Sequence, residues 1–265
     1  MSYTANPKDI MSLRKTTGVG LMDAKKALEA NEGNVEAAVQ WLRVQGKASA
    51  AKRADREAGE GAVAVVRNGN VAAIVEMRCE TDFVAKSDEF TSLVDQIAAR
   101  VCDEGESAVA QFDENIETML TTLKENISVG RVHRLVAGEG EVVDTYNHTQ
   151  AGRGVNAVAI VVKGATDELA HEIAVHIAFA KPQYLSREDV PAEEIEAERK
   201  TIEEISLNEG KPAAALAKII EGRLNGWFKE RVLLEQSYVK DEKQTITQLL
   251  GSATITAFAQ VVIGE

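Results

Sequence analysis

The sequence AVAVVRNGNVAAIVEMR, residues 62–78, has two apolar runs on either side of Asn68-Gly69. An Asn-Gly pair between apolar runs is the strongest short-range signal for a β-hairpin, because these residues tolerate the positive φ that a two-residue turn needs. From Phe90 to Val101, apolar residues recur with the spacing of one helix face. This order predicts an antiparallel hairpin covered by a helix, and so an α+β fold.

A similar pattern returns further along the chain. Residues 131–146, RVHRLVAGEGEVVDTY, predict a second hairpin, and residues 155–164, VNAVAIVVKG, predict a buried central strand. Residues 167–180 have the apolar spacing of a covering helix, and residues 253–265 predict a closing strand. We therefore expect a core of two subdomains, each built from antiparallel strands covered by a helix.

Helical units are predicted at two other places. Near the N-terminus, three short helices are indicated by the cap candidates Asn6 and Asn34 and by ends at Gly33 and Gly46. Residues 191–228 form two apolar-striped segments separated by a Gly-Lys-Pro turn. A narrow stripe on each segment is typical of two antiparallel helices that pack on each other.

These elements divide the sequence into six segments. They are a three-helix domain at 1–46, a linker or exposed helix at 47–61, a first core subdomain at 62–130, a second at 131–185, a projecting antiparallel coiled-coil hairpin at 186–228, and a return to the core at 229–265. Within the last segment, Asp241 and Gln244 match a capping box, which predicts a short helix through Leu250.

Composition argues against several classes of protein. With 45% hydrophobic and 27% charged residues, the chain has the composition of a soluble protein, and no apolar run approaches the roughly 20 residues that cross a bilayer. The first dozen residues lack the apolar block of a secretory signal. Cys79 and Cys102 form neither a CxxC pair nor a disulfide framework. We therefore expect a cytoplasmic protein with no membrane segment.

The net charge of −12 is unevenly distributed. Because proteins bind polyanions mainly by neutralising phosphates, this charge argues against direct nucleic-acid binding. Residues 1–56 contain ten Lys or Arg and six Asp or Glu, so a basic N-terminal part precedes an acidic body. The basic part either docks on an acidic partner surface or is simply solvated.

The connection between strand and helix is longer in the first subdomain than in the second. Eight residues, 79–86, precede the cap candidate Ser87, whereas only residues 163–165 precede the cap candidate Thr166. A simple connection would favour Gly, Ser, Asn or Pro, but this one contains Phe83 beside an acidic residue. The ring either folds back onto the edge of the sheet or is presented as an anchor for a pocket in a partner.

The sequence shows no catalytic constellation. Its histidines, His133, His148, His171 and His176, are scattered, and the last two lie five residues apart on a predicted helix, on different faces. The stretch GVGLMDAKK, residues 18–26, lacks the spacing of a phosphate-binding GxxxxGK[ST] loop and follows no strand. We expect no enzymatic chemistry of its own, no metal and no cofactor.

Two long motifs resemble a known family. TDFVAKSDEF, residues 81–90, is similar to the signature of elongation factor Ts, the bacterial guanine-nucleotide exchange factor of elongation factor Tu. LRKTTGVGLMDAKKAL, residues 13–28, is similar to the N-terminal motif of the same family. Shorter matches follow in order at residues 180–182, 209–212 and 221–228, so the resemblance extends over essentially the whole chain.

The resemblance implies a ubiquitin-associated-like three-helix domain, a two-subdomain α+β core and an antiparallel coiled-coil hairpin. It also implies that the chain binds elongation factor Tu, both GDP-bound and nucleotide-free, and promotes GDP release. In the family, the Asp-Phe of the TDFV loop enters the GTPase domain near its magnesium site, and the N-terminal domain packs on another helix of that domain. The residues implied for partner binding are Thr81, Asp82, Phe83 and Val84 in the loop, Arg14, Leu21, Met22 and Lys25 in the N-terminal domain, and His148 in the second subdomain.

The sequence leaves two alternatives open. The three-helix domain is compatible with an adaptor that binds ubiquitin-like or nascent-chain partners, although the TDFV insertion would then have no role. The exposed stripes of the hairpin at residues 191–228 are compatible with a homodimer or with contact to another partner.

Overall fold

The computed structural model describes residues 3–51, 53 and 55–265. The described helices are α1 Pro7–Thr17, α2 Leu21–Ala30, α3 Val35–Ala51, α4 Asp82–Ala85, α5 Asp88–Glu104, α6 Asp113–Leu123, α7 Asp167–Ala180, α8 Ala192–Asn208, α9 Ala213–Arg231 and α10 Ile246–Leu250. The described strands are β1 Glu60–Asn68, β2 Val71–Cys79, β3 Ser128–Val136, β4 Glu141–Gln150, β5 Arg153–Lys163, β6 Ser237–Tyr238, β7 Asp241–Thr245 and β8 Thr254–Val262. This mixture of helices and antiparallel strands confirms the α+β class.

The first sheet has the order β1-β2-β3, and all its pairs are antiparallel. The predicted β1-β2 hairpin is confirmed, but Asn68 pairs with Val71, so the two-residue turn begins at Gly69 instead of at Asn68. Gly69 has φ +59°, a conformation that glycine adopts at little cost. Helix α5 covers this sheet with the predicted apolar face, on which Phe90 and Ile97 are fully buried.

The second sheet has the order β4-β5-β8 and is also antiparallel. Its central strand is β5, as the continuous apolar run predicts, and β8 is the predicted closing strand. Helix α7 covers this sheet through a buried face that includes Ile173 and Ile177. Thr166 caps this helix, since its hydroxyl accepts a hydrogen bond from the backbone N–H of Leu169 at 3.3 Å.

The predicted hairpin at residues 131–146 is wrong. Strand β3 pairs with β2 and strand β4 pairs with β5, so the two strands lie in different sheets. The physical reason is that β2 and β5 are apolar on both faces and lie at the centres of their sheets, so each needs a hydrogen-bonding strand on both edges. Pairing β3 with β2 and β4 with β5 meets this need, whereas pairing β3 with β4 across residues 137–140 would not. The predicted subdomain boundary at residue 130 therefore falls inside β3.

The two sheets pack face to face. The residues buried between them come from both sheets and are mostly small or β-branched; they include Val63, Ala72, Ile74, Val143, Ala157, Ala159, Val161 and Val261. With α5 outside the first sheet and α7 outside the second, the core has four layers in the order helix, sheet, sheet, helix. Both connections from a strand to its covering helix are consequently on the outside of the core.

Helices α1, α2 and α3 form the N-terminal domain around a small core that includes Leu13, Ala24 and Leu28. The predicted end of the third helix at Gly46 is wrong, because α3 continues to Ala51. Gly46 instead allows α3 to approach α6, since a Cβ atom at this position would lie 2.5 Å from the hydroxyl oxygen of Thr121. Residues 52 and 54 of the predicted linker, and residues 1 and 2, lie outside the described residues.

Helices α8 and α9 form the predicted helical hairpin. Their shared core includes Ile202, Ile220 and Leu224. Helix α9 continues to Arg231, beyond the predicted end of this segment at residue 228, and the guanidinium of Arg231 lies 4.7 Å from the centre of the Trp227 ring. The ubiquitin-associated-like character of the N-terminal domain and the coiled-coil character of this hairpin stay predictions.

The predicted capping box at Asp241 and Gln244 is wrong. These residues lie in strand β7, which pairs with β6. Thr245 and Gln248 form the capping box of α10 instead, one turn further along the chain. Both pairs fit the motif, but only the later one starts the helix where Ile246 is buried against the second sheet.

A buried glutamate holds an arginine that connects the two sheets. Glu76 of β2 is 1% exposed, and its carboxylate accepts hydrogen bonds from the Arg131 guanidinium at 2.8 and 2.9 Å and from Arg78 at 3.1 Å. Arg131 also donates to the carbonyl of Val262 in the second sheet at 2.7 Å. Burial disfavours the charge on Glu76, but the hydrogen bonds from Arg131 and Arg78 outweigh burial and lower the pKa to about 2.

This lowered pKa predicts a loss of stability in acid. Because the folded-state pKa of Glu76 is below its unfolded value, the contribution is complete above the unfolded pKa and disappears as pH falls toward about 2. We expect the wild-type protein to lose about 2.5 kcal/mol more free energy of unfolding than Glu76→Gln between pH 5 and pH 2.5. Urea titrations of both proteins at several pH values test this, and parallel pH profiles would contradict it.

Candidate partner-binding site

Helix α4 is a single turn inserted between β2 and α5. The Thr81 hydroxyl caps it by accepting a hydrogen bond from the backbone N–H of Val84 at 3.4 Å. Ala85 is fully buried and Val84 packs partly into the core beneath α5, so one side of the turn is fixed to the body. Ser87 then caps α5 by accepting from the backbone N–H of Phe90 at 3.3 Å, as predicted.

Phe83 lies on the opposite side of this turn. Its side chain is 84% exposed, more than any other large apolar residue that the structure describes. The interpretation in which the ring folds back onto the sheet edge is therefore wrong. The ring is thus exposed to solvent on a backbone turn that is itself capped and packed, which is the arrangement expected of an anchor for a partner.

Asp82 lies beside Phe83 and remains charged. Its carboxylate accepts a hydrogen bond from the Lys86 ammonium at 2.5 Å, and this bond holds its pKa below the usual range. The positive charge of Arg153 lowers the pKa of the Asp82 carboxyl further. The carboxylate of Asp82 is therefore an anion next to an exposed ring.

Two residues that sequence reasoning missed fix the base of the turn. Glu125 accepts hydrogen bonds from the backbone N–H groups of Glu80 and Thr81, both at 3.0 Å. Cys79 donates its thiol hydrogen to the Thr81 carbonyl at 3.2 Å. Burial, followed by the nearby charge of Glu125, raises the pKa of the Cys79 thiol to about 12, so the sulfur is protonated and unreactive.

The predicted surface of the N-terminal domain is exposed. Leu21 is 48% exposed and Met22 60% exposed, on the first turn of α2. Arg14 is also exposed, and Lys25 is half-exposed with its ammonium 3.8 Å from Glu29. Met11, 54% exposed on α1, was missed by sequence reasoning, because one methionine on an amphipathic helix carries no signal of its own.

The structure brings the N-terminal domain and the turn together around the end of α6. The ammonium of Lys124 lies 2.7 Å from the Asp23 carboxylate of the N-terminal domain, and its neighbour Glu125 contacts the turn. His148 is exposed on β4, beside a β-bulge, in the hairpin whose second strand begins at Arg153. The predicted residues therefore come from three separate parts of the chain.

Known proteins resemble this chain over almost its full length. The sequence model of the family described as "Elongation factor TS" matches residues 80–265. The chain is 44% identical over 270 residues to Elongation factor Ts of Clavibacter michiganensis subsp. michiganensis, covering 97% of both chains. It is 42% identical over 277 residues to Elongation factor Ts of Kineococcus radiotolerans, covering 99% of both chains.

The chain belongs to the elongation factor Ts family. The resemblance found in the two long motifs is thereby confirmed. The family match includes the turn from Glu80 onward, and the two relatives extend the similarity through the N-terminal domain. The particular partner contacts assigned to Asp82, Phe83 and His148 stay predictions.

Two further observations concern the described part of this elongation factor Ts chain. Among residues 3–51, 53 and 55–265, no three His, Cys, Asp or Glu side chains are grouped as ligands of a metal ion. No helix in the same residues combines the length and apolar character needed to cross a bilayer.

Proposed function

We propose that this elongation factor Ts chain binds GDP-bound elongation factor Tu and promotes release of the GDP. Asp82 and Phe83 insert near the magnesium and phosphate site of the GTPase, and the complex stabilises the nucleotide-free form until GTP binds. The observation that carries this proposal is the exposure of Phe83, 84%, on a turn fixed from below. The chain acts through binding alone and has no catalytic chemistry of its own.

A fixed turn favours this mechanism for an energetic reason. Ordering a flexible loop on binding costs about 0.5–1.5 kcal/mol for each immobilised side chain. The capping by Thr81 and the burial of Ala85 fix the turn before the partner arrives. The free energy gained by burying the Phe83 ring in the partner can then stabilise the open form of the nucleotide site.

Asp82 supplies the charge in this mechanism. A GTPase holds its nucleotide partly through a magnesium ion and through donors around the phosphates. A carboxylate placed next to that site competes with the phosphates for cations and donors. The lowered pKa of Asp82 keeps its carboxylate anionic at neutral pH. Its ion pair with Lys86 is exposed, so the carboxylate can exchange this partner for a cation of the GTPase.

The turn alone is too weak to account for exchange. A shift of about 10⁴ in relative affinity needs roughly 5.5 kcal/mol of differential binding, whereas burying one Phe supplies about 1.5–3 kcal/mol. We assign the rest of the differential binding free energy to contacts from the N-terminal domain and the second sheet, made by Arg14, Leu21, Met22, Lys25 and His148. Because the coupling between two ligands is reciprocal, a factor that weakens the binding of GDP to elongation factor Tu must itself bind less tightly when GDP is bound.

Other parts of the proposal follow from the partner. Elongation factor Tu acts in translation, so the chain is assigned to the cytoplasm and to translation elongation. The hairpin of α8 and α9 is left with two roles, a homodimer contact or contact with another partner.

Gel filtration of an equimolar mixture with GDP-loaded elongation factor Tu tests the proposal. We expect one complex that contains both proteins and has lost its GDP, measured by absorbance or by chromatography of the extracted nucleotide. Separate elution of the two proteins, with GDP retained on elongation factor Tu, would refute the proposal. Such a result would favour the adaptor function of the three-helix domain.

A double substitution tests the role of the N-terminal domain. Leu21→Asp with Met22→Asp places two charges on the exposed face of α2, and desolvating them should weaken binding to elongation factor Tu by about 10- to 100-fold. The rate of GDP release at saturating factor should change much less, because the turn is intact. Titration calorimetry gives the affinity; an unchanged Kd would remove this face from the interface.

A further inference from the structure

Glu125 contacts the turn from a separate part of the chain. It lies two residues beyond the end of α6, and its carboxylate is directed at the start of α4. One oxygen, Oε2, accepts from the backbone N–H groups of Glu80 and Thr81, both at 3.0 Å. The other oxygen, Oε1, accepts from the Thr81 hydroxyl at 2.5 Å. Three hydrogen bonds to one carboxylate fix the residue that caps the turn.

The contact is reciprocal. The Glu80 carboxylate accepts a hydrogen bond from the backbone N–H of Asn126 at 2.7 Å. Glu80 also forms an ion pair with Arg56, 3.4 Å away, on the segment that follows the N-terminal domain. The two chain segments 80–81 and 125–126 are therefore joined in both directions, and the exit of β2 is held against the end of α6.

The residue before Glu125 contacts the N-terminal domain. Lys124 ends α6 in a left-handed conformation with φ +61°, and its ammonium pairs with Asp23 at 2.7 Å. Consecutive residues at one helix end thus contact the two surfaces that the proposed function assigns to elongation factor Tu. The Lys124 pair is exposed and therefore weak, so most of the positioning comes from Glu125.

We propose that Glu125 is a positioning residue for exchange. By fixing Thr81 it sets the direction of Phe83, and through Lys124 the direction of the ring is tied to that of the N-terminal domain. This inference rests on the proposed function. Glu125 acts through the turn and not by contact with the nucleotide, so its loss allows the turn to tilt and makes insertion of Phe83 less frequent.

The first test measures GDP release from elongation factor Tu at saturating factor, with Glu125→Ala and Glu125→Gln. Losing the half-buried acceptor should slow the saturated rate by about tenfold for Ala, and by less for Gln, which keeps one acceptor oxygen. The matched control is Glu114→Ala, which removes a carboxylate on α6 that pairs with Arg43 and not with the turn. This control should leave the rate within about twofold.

A double-substitution cycle separates positioning from general destabilisation. If Glu125 acts through Phe83, then Phe83→Ala should slow release much less in the Glu125→Ala protein than in the wild type. Fully additive effects would overturn the inference. If the wild-type factor itself fails to accelerate GDP release from elongation factor Tu, the proposed function is overturned instead. The two failures are therefore distinguishable.

Hydrogen exchange in the free protein gives a readout that does not depend on elongation factor Tu. The hydrogen-bonded amides of Glu80, Thr81, Val84 and Ala85 should exchange about tenfold faster in Glu125→Ala and Glu125→Gln than in the wild type, because the closed turn is less populated. Amides of α7 should be unchanged. Equal protection of Glu80, Thr81, Val84 and Ala85 in all three proteins would overturn the positioning role, whatever the exchange kinetics.

Discussion

Phe83→Ala is expected to slow saturated GDP release from elongation factor Tu by about 10- to 100-fold, which corresponds to about 1.5–3 kcal/mol of lost ring burial. The side chain is 84% exposed in the free protein, so its removal leaves no cavity. The free energy of unfolding should therefore change by less than about 0.5 kcal/mol. A large kinetic effect without a stability effect is the signature of a residue used only in the complex.

The measurement is stopped-flow release of fluorescent GDP over a range of factor concentrations. It separates the saturated rate, which reports opening of the nucleotide site, from the concentration dependence, which reports affinity. We expect the Phe83→Ala defect mainly in the saturated rate, and the Leu21 and Met22 defect mainly in the concentration dependence.

The chain offers a matched control for this substitution. Phe179, near the end of α7, is 77% exposed and lies outside the turn. Phe179→Ala should leave the saturated rate within about twofold, since the loss of an exposed ring elsewhere does not affect the nucleotide site. Equal defects for Phe83→Ala and Phe179→Ala would contradict a specific role for the turn.

Arg131→Ala is expected to give the largest loss of stability, about 3 kcal/mol. The substitution leaves the Glu76 carboxylate, 1% exposed, with the charge of Arg78 but without that of Arg131, and removes the bond to the Val262 carbonyl in the second sheet. This value is at the lower end of the range for broken buried pairs, because Arg78 remains and Arg131 is itself a third exposed. Urea unfolding at pH 7 measures the loss.

Two comparisons test the explanation for this loss. Arg100→Ala removes an exposed pair with Glu104 at 2.7 Å and should cost less than about 0.5 kcal/mol. The double substitution Glu76→Gln with Arg131→Met removes both charges and should be more stable than Arg131→Ala alone. A double variant less stable than Arg131→Ala would show that the pair is not the origin of the loss.

Local signals explain what could be predicted from sequence. The apolar runs around Asn68-Gly69 and the spacing from Phe90 to Val101 are each contained in a short window, and both elements are confirmed. Thr166 was found in the same way, because a cap is recognised from the residues that follow it. The inserted turn was recognised as a difference in length between two similar connections.

Non-local pairing explains the errors. Nothing in residues 131–146 indicates that β3 and β4 belong to different sheets, because that choice depends on the unpaired edges of β2 and β5. The two competing capping boxes near Thr245 were decided by where Ile246 is buried. Local patterns predicted element type well, but the partner of each element was determined by packing across the whole core.

In the candidate site, too, some residues have a local sequence signal and others are brought into place only by the fold. The inserted turn follows from the length and composition of the connection, and the implied role of its ring follows from the family motif at residues 81–90. The residues alone left open whether the ring is exposed, and the structure decides this. Glu125 could not be found this way, because it is 44 residues from Thr81 and its acidic side chain resembles any other surface glutamate. Only the fold brings the carboxylate to the two backbone amides that it fixes.

The most direct test of the central claim is GDP release from purified elongation factor Tu, followed with a fluorescent nucleotide, with and without the wild-type chain. Catalytic amounts of the chain should accelerate release at least about 100-fold at micromolar concentration, with the acceleration declining as free GDP is raised. A release rate that is the same with and without the chain would contradict the account.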